Sequence, residues 1–399
     1  MSASTEWASM SSHLAEQEPT HDASSGVTCS ARVLLVAPSL RIMGGQAVMA
    51  DRMLRAMRAD GLEIDFQPIN PRPPGVFALA ERVKYLRTLI TSLCYVWQLL
   101  WRVPRYEVIH LFSAAYTSFL ISQVPAILVA RLYGKPIVLN YRSGEAEDHL
   151  RRWGRVVFPF FRMATRIVVP SDFLVGVFSS FGFPALAIPN VVDPQVVRYR
   201  LRRAAAPRIV VPRALEPLYN VACALRTFAI VQARFPDAVL TVLGDGSERR
   251  RLQELARELG LRNVEFLGRV ERTCIGDLYD QHDILLNTTS IDNTPVSLLE
   301  GFAAGIPIVT TNAGGIPYLV EHRVNGYLAG VDDAPALAAA VIELLTRPDE
   351  VERLSRQGKL EARKYDWDAV AAKWYELYRT VTSPPSPAES CPSVSSKEI

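Results

Sequence analysis

Two successive series of short apolar runs, each run followed by a helical pattern, constrain this chain more than any other feature. The first series opens with Ala31–Ser39 (ARVLLVAPS), a Gly44-Gly45 turn and a helical period from Gln46 to Arg58. Further strand-like runs follow at Val108–Phe112, Ile137–Tyr141, Arg166–Pro170 and Ala187–Pro189. The second series has Ile209–Pro212, Val239–Leu243, Val264–Leu267, Ile284–Asn287 and Ile308–Thr311, with helices expected at about 221–234, 247–260, 296–304 and 334–346. Apolar runs that alternate with helices mean parallel strands covered on both faces. Two such series predict an α/β chain with two Rossmann-like, doubly wound parallel-sheet domains and a cleft between them. A length of 399 residues suits two domains of roughly 150–200 residues each.

Residues 193–207 carry Pro, Arg and Ala without apolar periodicity and read as a linker. The expected division is a disordered extension over 1–30, a first domain over 31–193, a linker over 194–207 and a second domain over 208–365. A closing helix over 366–381 and a disordered, Ser/Pro-rich tail over 382–399 complete it. Residues 31–206 hold 23 Lys+Arg against 11 Asp+Glu, whereas 207–399 hold 21 against 26. A basic first half beside an acidic second half predicts different partners for the two. The five cysteines (29, 94, 223, 274, 391) form no C-x-x-C pair, so neither a zinc site nor a disulfide framework is expected. Residues 1–30 lack the basic start and apolar core of a signal peptide. Both observations point to the cytoplasm.

Tyr85–Val103 (YLRTLITSLCYVWQLLWRV) is nearly continuous apolar. It fits a helix buried against a sheet, or an interfacial helix with Arg82, Lys84, Arg87, Arg102 and Arg105 toward anionic lipid. With Arg87, Gln98 and Arg102 inside it, it is marginal as a membrane span.

In doubly wound sheets ligands bind at the carboxyl ends of the strands, and three loops there carry chemistry. Gly44-Gly45 lets a backbone approach a phosphate or sugar at a helix start. It lacks both the G-x-G-x-x-G dinucleotide fingerprint and the lysine of a P-loop. Gly244-Asp245-Gly246-Ser247 ends a strand and opens a helix, with Asp245 or Ser247 expected as cap. The most specific is the stretch from Asp292 through Asn293, Thr294, Val296, Ser297 and Glu300 to GFAAGIPIVTTNAGGIP. There the free N–H groups of a helix starting near Val296 can hold a diphosphate, and Glu300 is placed to accept hydrogen bonds from a ribose diol.

These pieces together resemble glycosyltransferase family 4, the retaining enzymes of GT-B fold. The resemblance rests on GDGSERRRLQELARELGLRNVEFLGRV, on LLEGFAAGIPIVTTNAGGIPYLV after the paired acids, and on NGYL. VLLVAPSLRIMGGQAVMADRMLRAM, VVPSDF, IPNVVD and YDWDAVAAKWYELYRTV extend it over about residues 31–381. It implies an acceptor-binding first domain, a nucleotide-sugar-binding second domain and a last helix that returns to the first. By position it implies that Glu300 binds the ribose and Asp292, where the family usually has Glu, contacts the transferred sugar. Gly44 and Gly45 would face the donor phosphates.

The chain departs from the family at three places. Tyr219 stands where a lysine usually faces the diphosphate, with Arg213 one residue from the usual arginine. Arg142 stands near the place of a frequent histidine, and it cannot act as a base near neutrality. Tyr318 stands where Glu is common.

The reaction implied is retaining transfer of a hexose-type sugar from a UDP- or GDP-type donor to a hydroxyl acceptor, lipid-linked or a polysaccharide precursor. No D-x-D metal motif is evident in the loops at the strand ends. A metal-independent, cofactor-free route is therefore expected, with helix tips, Arg213 and Arg142 facing the leaving diphosphate. The expected partners are the nucleotide sugar, its acceptor and a peripheral contact at the inner face of the cell membrane. Nucleic acid is not expected, for want of an aromatic platform. A GT-B sugar-nucleotide epimerase and a non-catalytic GT-B protein of a polysaccharide assembly complex are the alternatives.

Overall fold

Five-residue runs such as VLLVA at 33–37 are buried along their whole length, which suits a strand with both faces covered. The computed structural model describes residues 30–39, 45–71, 84–193 and 196–383, the side chains of 84–87 excepted. Gly44, Arg82 and the expected disordered segments, apart from residues 30, 382 and 383, lie outside the described residues.

The first unit runs β1 (Val33–Ala37), α1 (Gly45–Ala59), β2 (Ile64–Pro68), α2 (Lys84–Arg102), β3 (Val108–Ser113) and a single helical turn α3 (Tyr116–Ser118). It continues with α4 (Val124–Leu132), β4 (Ile137–Tyr141), α5 (Ala146–Met163), β5 (Arg166–Val169), α6 (Asp172–Ser180) and β6 (Ala185–Ala187). The second runs β7 (Arg208–Pro212), α7 (Val221–Arg234), β8 (Val239–Leu243), α8 (Arg249–Glu258), β9 (Val264–Gly268), α9 (Arg272–Asp280) and β10 (Ile284–Asn287). It closes with α10 (Val296–Ala304), β11 (Ile308–Thr311), β12 (Tyr327–Ala329), α11 (Ala334–Thr346), α12 (Pro348–Ala362) and α13 (Trp367–Thr382).

Each unit holds a six-stranded parallel sheet, ordered β2-β1-β3-β4-β5-β6 and β12-β11-β10-β7-β8-β9. The order reverses between β1 and β3 in one sheet and between β7 and β10 in the other, which opens a crevice at each reversal. Both faces of each sheet are covered. In the first sheet α2, α4, α5 and α6 pack on one face and α1 with α13 on the other. Helix α13 lays Val370, Trp374 and Tyr378 against the first sheet, although it follows the second in sequence.

Two local expectations are corrected. The last strand of the first sheet ends at Ala187, because Pro189 has no N–H to offer a ladder. Neither Asp245 nor Ser247 caps α8: Asp245 accepts from the Gly246 N–H at 3.0 Å, and the Ser247 hydroxyl donates to Glu216 at 2.5 Å. The expected linker packs closely on the second domain. Arg202 within it is fully buried and donates to the carbonyls of His282 at 3.1 Å and Tyr279 at 2.7 Å, so it pins the crossing chain to the second domain.

Candidate active site

The strand ends at the two reversals face each other across a cavity of about 390 Å³. Its first-domain wall includes Gly45, Gln46, Arg142, Gly144, Glu145 and Asn190; its second-domain wall includes Arg213, Tyr219 and Asp292 to Ser297. A second cavity of about 270 Å³ shares Pro212, Arg213, Ala214 and Ser297 with the first. It extends past Leu243, Gly244 and Asp245 to Val270, Ile275, Tyr279 and Glu300.

Local backbone chemistry explains why the walls lie so close. Gly244 has φ 138°, and a Cβ there would stand 2.1 Å from the Arg213 carbonyl oxygen, so only glycine lets β8 end beside β7. Gly314 has φ 53° and supports the Asp292 loop from below: its own Cβ would stand 2.1 Å from the Asp292 carbonyl oxygen. Gly144 presses on the same loop from the first domain.

The charged groups are interlocked. Arg213 pairs with Asp292, and its guanidinium lies 4.1 Å from the centroid of the Tyr219 ring. Tyr219 thus holds an arginine in place through its face. Asp292 also accepts from the Asn293 N–H at 2.7 Å. Arg142 donates from Nε to Asn140 at 3.0 Å and pairs with the side-chain oxygen of Asn190, while Asn190 donates to the Thr294 carbonyl at 3.0 Å. Burial draws the Arg142 pKa down to about 9. Asn293 is buried and accepts from the Ser171 hydroxyl.

Glu300 is buried, with 7% of its surface exposed. It pairs with Arg52, which reaches across from α1, and accepts from the Tyr279 hydroxyl at 3.2 Å. Burial, reinforced by that carboxylate, holds the Tyr279 phenol well above its usual pKa.

Several buried donors in this junction have no partner: Arg52 Nε, Arg142 Nη2, Arg213 Nε, Asn293 Nδ2 and the hydroxyl of Ser297. An unsatisfied buried donor costs about 1–3 kcal/mol, so each of these groups is open to an acceptor oxygen. The first N–H groups of α10, from Val296 and Ser297, lack intrahelical partners by geometry and open on the same cavity. Of the residues expected from sequence, all those described border one of the two cavities; Gly44 is not described. Sequence reasoning missed Arg52 and Tyr279, since α1 shows only an ordinary polar position at 52.

The Arg142 chain continues inward. Asn140 Nδ2 lies 3.1 Å from His110 Nε2, and the Tyr378 hydroxyl of α13 lies 2.7 Å from His110 Nδ1. Burial and then the Arg142 charge depress the His110 pKa from 6.5 to about 3, and burial depresses that of His149 to about 4. A depressed histidine takes no proton in the fold while the unfolded chain does. Its stabilising contribution is complete above pH 6.5 and is lost as pH falls toward the folded value. Unfolding by urea is therefore expected to show a loss on the order of 1 kcal/mol per pH unit per histidine below pH 6.5. A His110→Gln variant is expected to show a flatter dependence between pH 6.5 and 4, and parallel curves for the two proteins would refute the assignment.

Residues 43–196 match the family described as Glycosyltransferase Family 4, and residues 201–361 match Glycosyl transferases group 1. The chain is 30% identical over 220 residues to a D-inositol 3-phosphate glycosyltransferase of Corynebacterium urealyticum, covering 52% of this chain and 48% of that one. It is 29% identical over 274 residues to a glycogen synthase of Mycobacterium tuberculosis, covering 64% of this chain and 65% of that one. The matched stretches thus span about half to two thirds of these relatives' own length.

Among solved structures, Anabaena HepE in complex with UDP and glucose superposes with a TM-score of 0.67 at 17% identity, covering 88% of this chain and 100% of that one. Sucrose-phosphate synthase of Thermosynechococcus elongatus superposes with a TM-score of 0.69 at 16% identity, covering 88% and 99%. With both halves matched and two facing parallel sheets in the same arrangement, the chain belongs to the family 4 glycosyltransferases of GT-B fold.

Proposed function

We propose that this protein is a retaining glycosyltransferase that moves a hexose-type sugar from a nucleoside diphosphate to a hydroxyl acceptor. The observation that carries the reading is the set of unpartnered buried donors of Arg142, Arg213, Asn293 and Ser297 beside the free N–H groups of α10. A diphosphate supplies the acceptor oxygens they lack. The nucleoside fits the second cavity, its base among Leu243, Val270 and Ile275 and its ribose diol on Glu300. The sugar then occupies the larger cavity near Asp292, with the Gly45 loop at its edge, while the Gly244–Asp245 loop borders the nucleoside cavity. The nucleotide found with HepE supports UDP as the first donor to try.

In this reading residues 31–193 present the acceptor, 208–365 hold the donor, and the crossings at 194–207 and 366–381 join them. The anomeric C–O bond to the β-phosphate breaks as the acceptor oxygen bonds C1 from the same face. The acceptor's proton passes to the departing phosphate oxygen. Arg213, Arg142 and the α10 tip take the charge that develops on the diphosphate, without a metal or any other cofactor. The acceptor is a saccharide or lipid-linked hydroxyl, met by a cytoplasmic protein seated peripherally at a membrane face.

Calorimetry with a panel of nucleoside diphosphates and their sugars tests this. At least one is expected to bind, and labelled sugar is expected to pass to a membrane extract, with transfer lost in Asp292→Ala. No binding by any nucleotide would reject the proposal; isomerisation of free donor without acceptor would replace it by an epimerase. Binding without turnover would leave a non-catalytic member of an assembly complex.

A further inference from the structure

Helix α2 is apolar nearly all round, yet only one side of it is covered. Tyr95, Leu99 and Val103, just past its end, are buried against the first sheet, and the Tyr95 hydroxyl donates to the Ser122 carbonyl at 2.8 Å. On the opposite side Leu89, Leu93, Trp97 and Trp101 recur every fourth residue and are 57%, 62%, 70% and 63% exposed. Spacing of four puts them in one stripe along the helix. Beside them, α4 adds Leu128 and Leu132, again four apart and 48% and 71% exposed. A contiguous apolar face of this kind on a water-facing helix marks an interaction surface.

The charge around it selects the partner. Between Asp65 and Glu145 the chain has nine Lys and Arg and two acids, Glu81 and Glu107. Glu107 is engaged by Arg32, whose backbone N–H donates to it at 3.1 Å. Arg105 lies over the Trp101 ring at 5.1 Å, and Arg131 is exposed within the α4 stripe. Lys84 and Arg87 sit in the first turn of α2 by sequence. Arg102, expected on the outer face, instead turns inward and donates to the Phe66 carbonyl at 2.9 Å. Among the described residues no helix is long and apolar enough to cross a membrane.

We propose that the α2–α4 face lies flat on an anionic lipid bilayer, with Leu93, Trp97, Trp101 and Leu132 at acyl depth and Arg105 and Arg131 among the headgroups. Leucines and tryptophans opposite a cationic rim are the composition that partitions into a bilayer interface rather than across it. A second copy on the same face would bring two cationic rims together and is disfavoured by repulsion. Because α2 returns antiparallel to the strands it links, Leu89 lies toward the cleft end of the sheet and Trp101 away from it. A bilayer under this stripe therefore reaches the rim of the cleft. The proposal rests on the functional reading only for what the surface delivers, an acceptor held in the membrane.

The full chain is to be sedimented with vesicles of phosphatidylcholine alone and of phosphatidylcholine with phosphatidylglycerol, while UDP affinity is measured separately. Binding is expected to the anionic vesicles, to fall at high salt and to shift the tryptophan emission to the blue. Leu93→Glu and Trp97→Glu are each expected to weaken it at least about tenfold with UDP affinity unchanged, and Trp97→Phe is expected to retain it. Should Leu93→Glu fail to fold, Trp97→Ser provides the same readout. Equal binding to neutral vesicles, equal binding by the glutamate variants, or a dimer that these variants dissolve without any vesicle binding would overturn the proposal. Vesicle binding by a chain that takes up no nucleotide would leave it standing and reject the functional reading instead.

Discussion

Glu300→Ala is expected to lose nucleotide binding and much of its stability together, and a second variant separates the two losses. The carboxylate is buried between Arg52 and the Tyr279 hydroxyl. Its removal leaves the Arg52 guanidinium buried without a counter-charge, which costs roughly 3–5 kcal/mol. Each charge-assisted hydrogen bond to a ribose hydroxyl contributes about 1.5–3 kcal/mol, so nucleotide affinity is expected to fall about tenfold to a hundredfold per bond. Replacing both partners by apolar side chains, Arg52→Met with Glu300→Met, removes the stranded charge and is expected to recover most of the stability. Nucleotide binding is not expected to return with it. Urea unfolding and calorimetry on the three proteins check this. A single variant that binds UDP like the parent would end the ribose assignment.

Arg213→Met is expected to cut turnover by about a hundredfold to a thousandfold, the usual size for loss of one donor aimed at developing charge. The arginine is held from two sides, by Asp292 and by the Tyr219 ring, with its Nε unpartnered. Pre-placement of this kind means little reorganisation as the leaving group takes its charge. In the proposed reading the guanidinium faces phosphate rather than base, so affinity for uridine is expected to persist while affinity for UDP falls. Arg213→Lys is expected to recover little, since a lysine cannot form the planar stack on Tyr219. Full turnover in Arg213→Met would transfer the role to Arg142 and the helix tip.

What could be read in advance follows from how locally each feature is encoded. Strands such as Val239–Leu243, Ile284–Asn287 and Ile308–Thr311 are short, uncharged runs led by branched apolar residues, and the structure places them at those residues. The edge strand Ile64–Pro68 reads IDFQP, mixes one charge and one amide into five residues and was not legible. Helix α9 escaped for a similar reason: its one well-buried residue, Tyr279, covers no helical period. The paired acids Asp292 and Glu300 were legible because a glycine- and proline-marked turn frames them. Arg52 was not, because its burial depends on a carboxylate 248 positions away in the other domain. Arg202 likewise looked like a linker charge until the carbonyls around it were placed.

The helix that closes the first sheet has a consequence for synthesis. Strands β1 and β3 show one apolar face to α13, whose Trp374 stacks on His110 at 4.8 Å. On the ribosome those strands emerge long before residues 367–382 do. Helix α1 covers its share of that face early, but the part that Trp374 and Tyr378 cover stays bare until residues 367–382 have been made. Nascent chains arrested between the two sheets and the final helix are the species most exposed to aggregation and most dependent on chaperones.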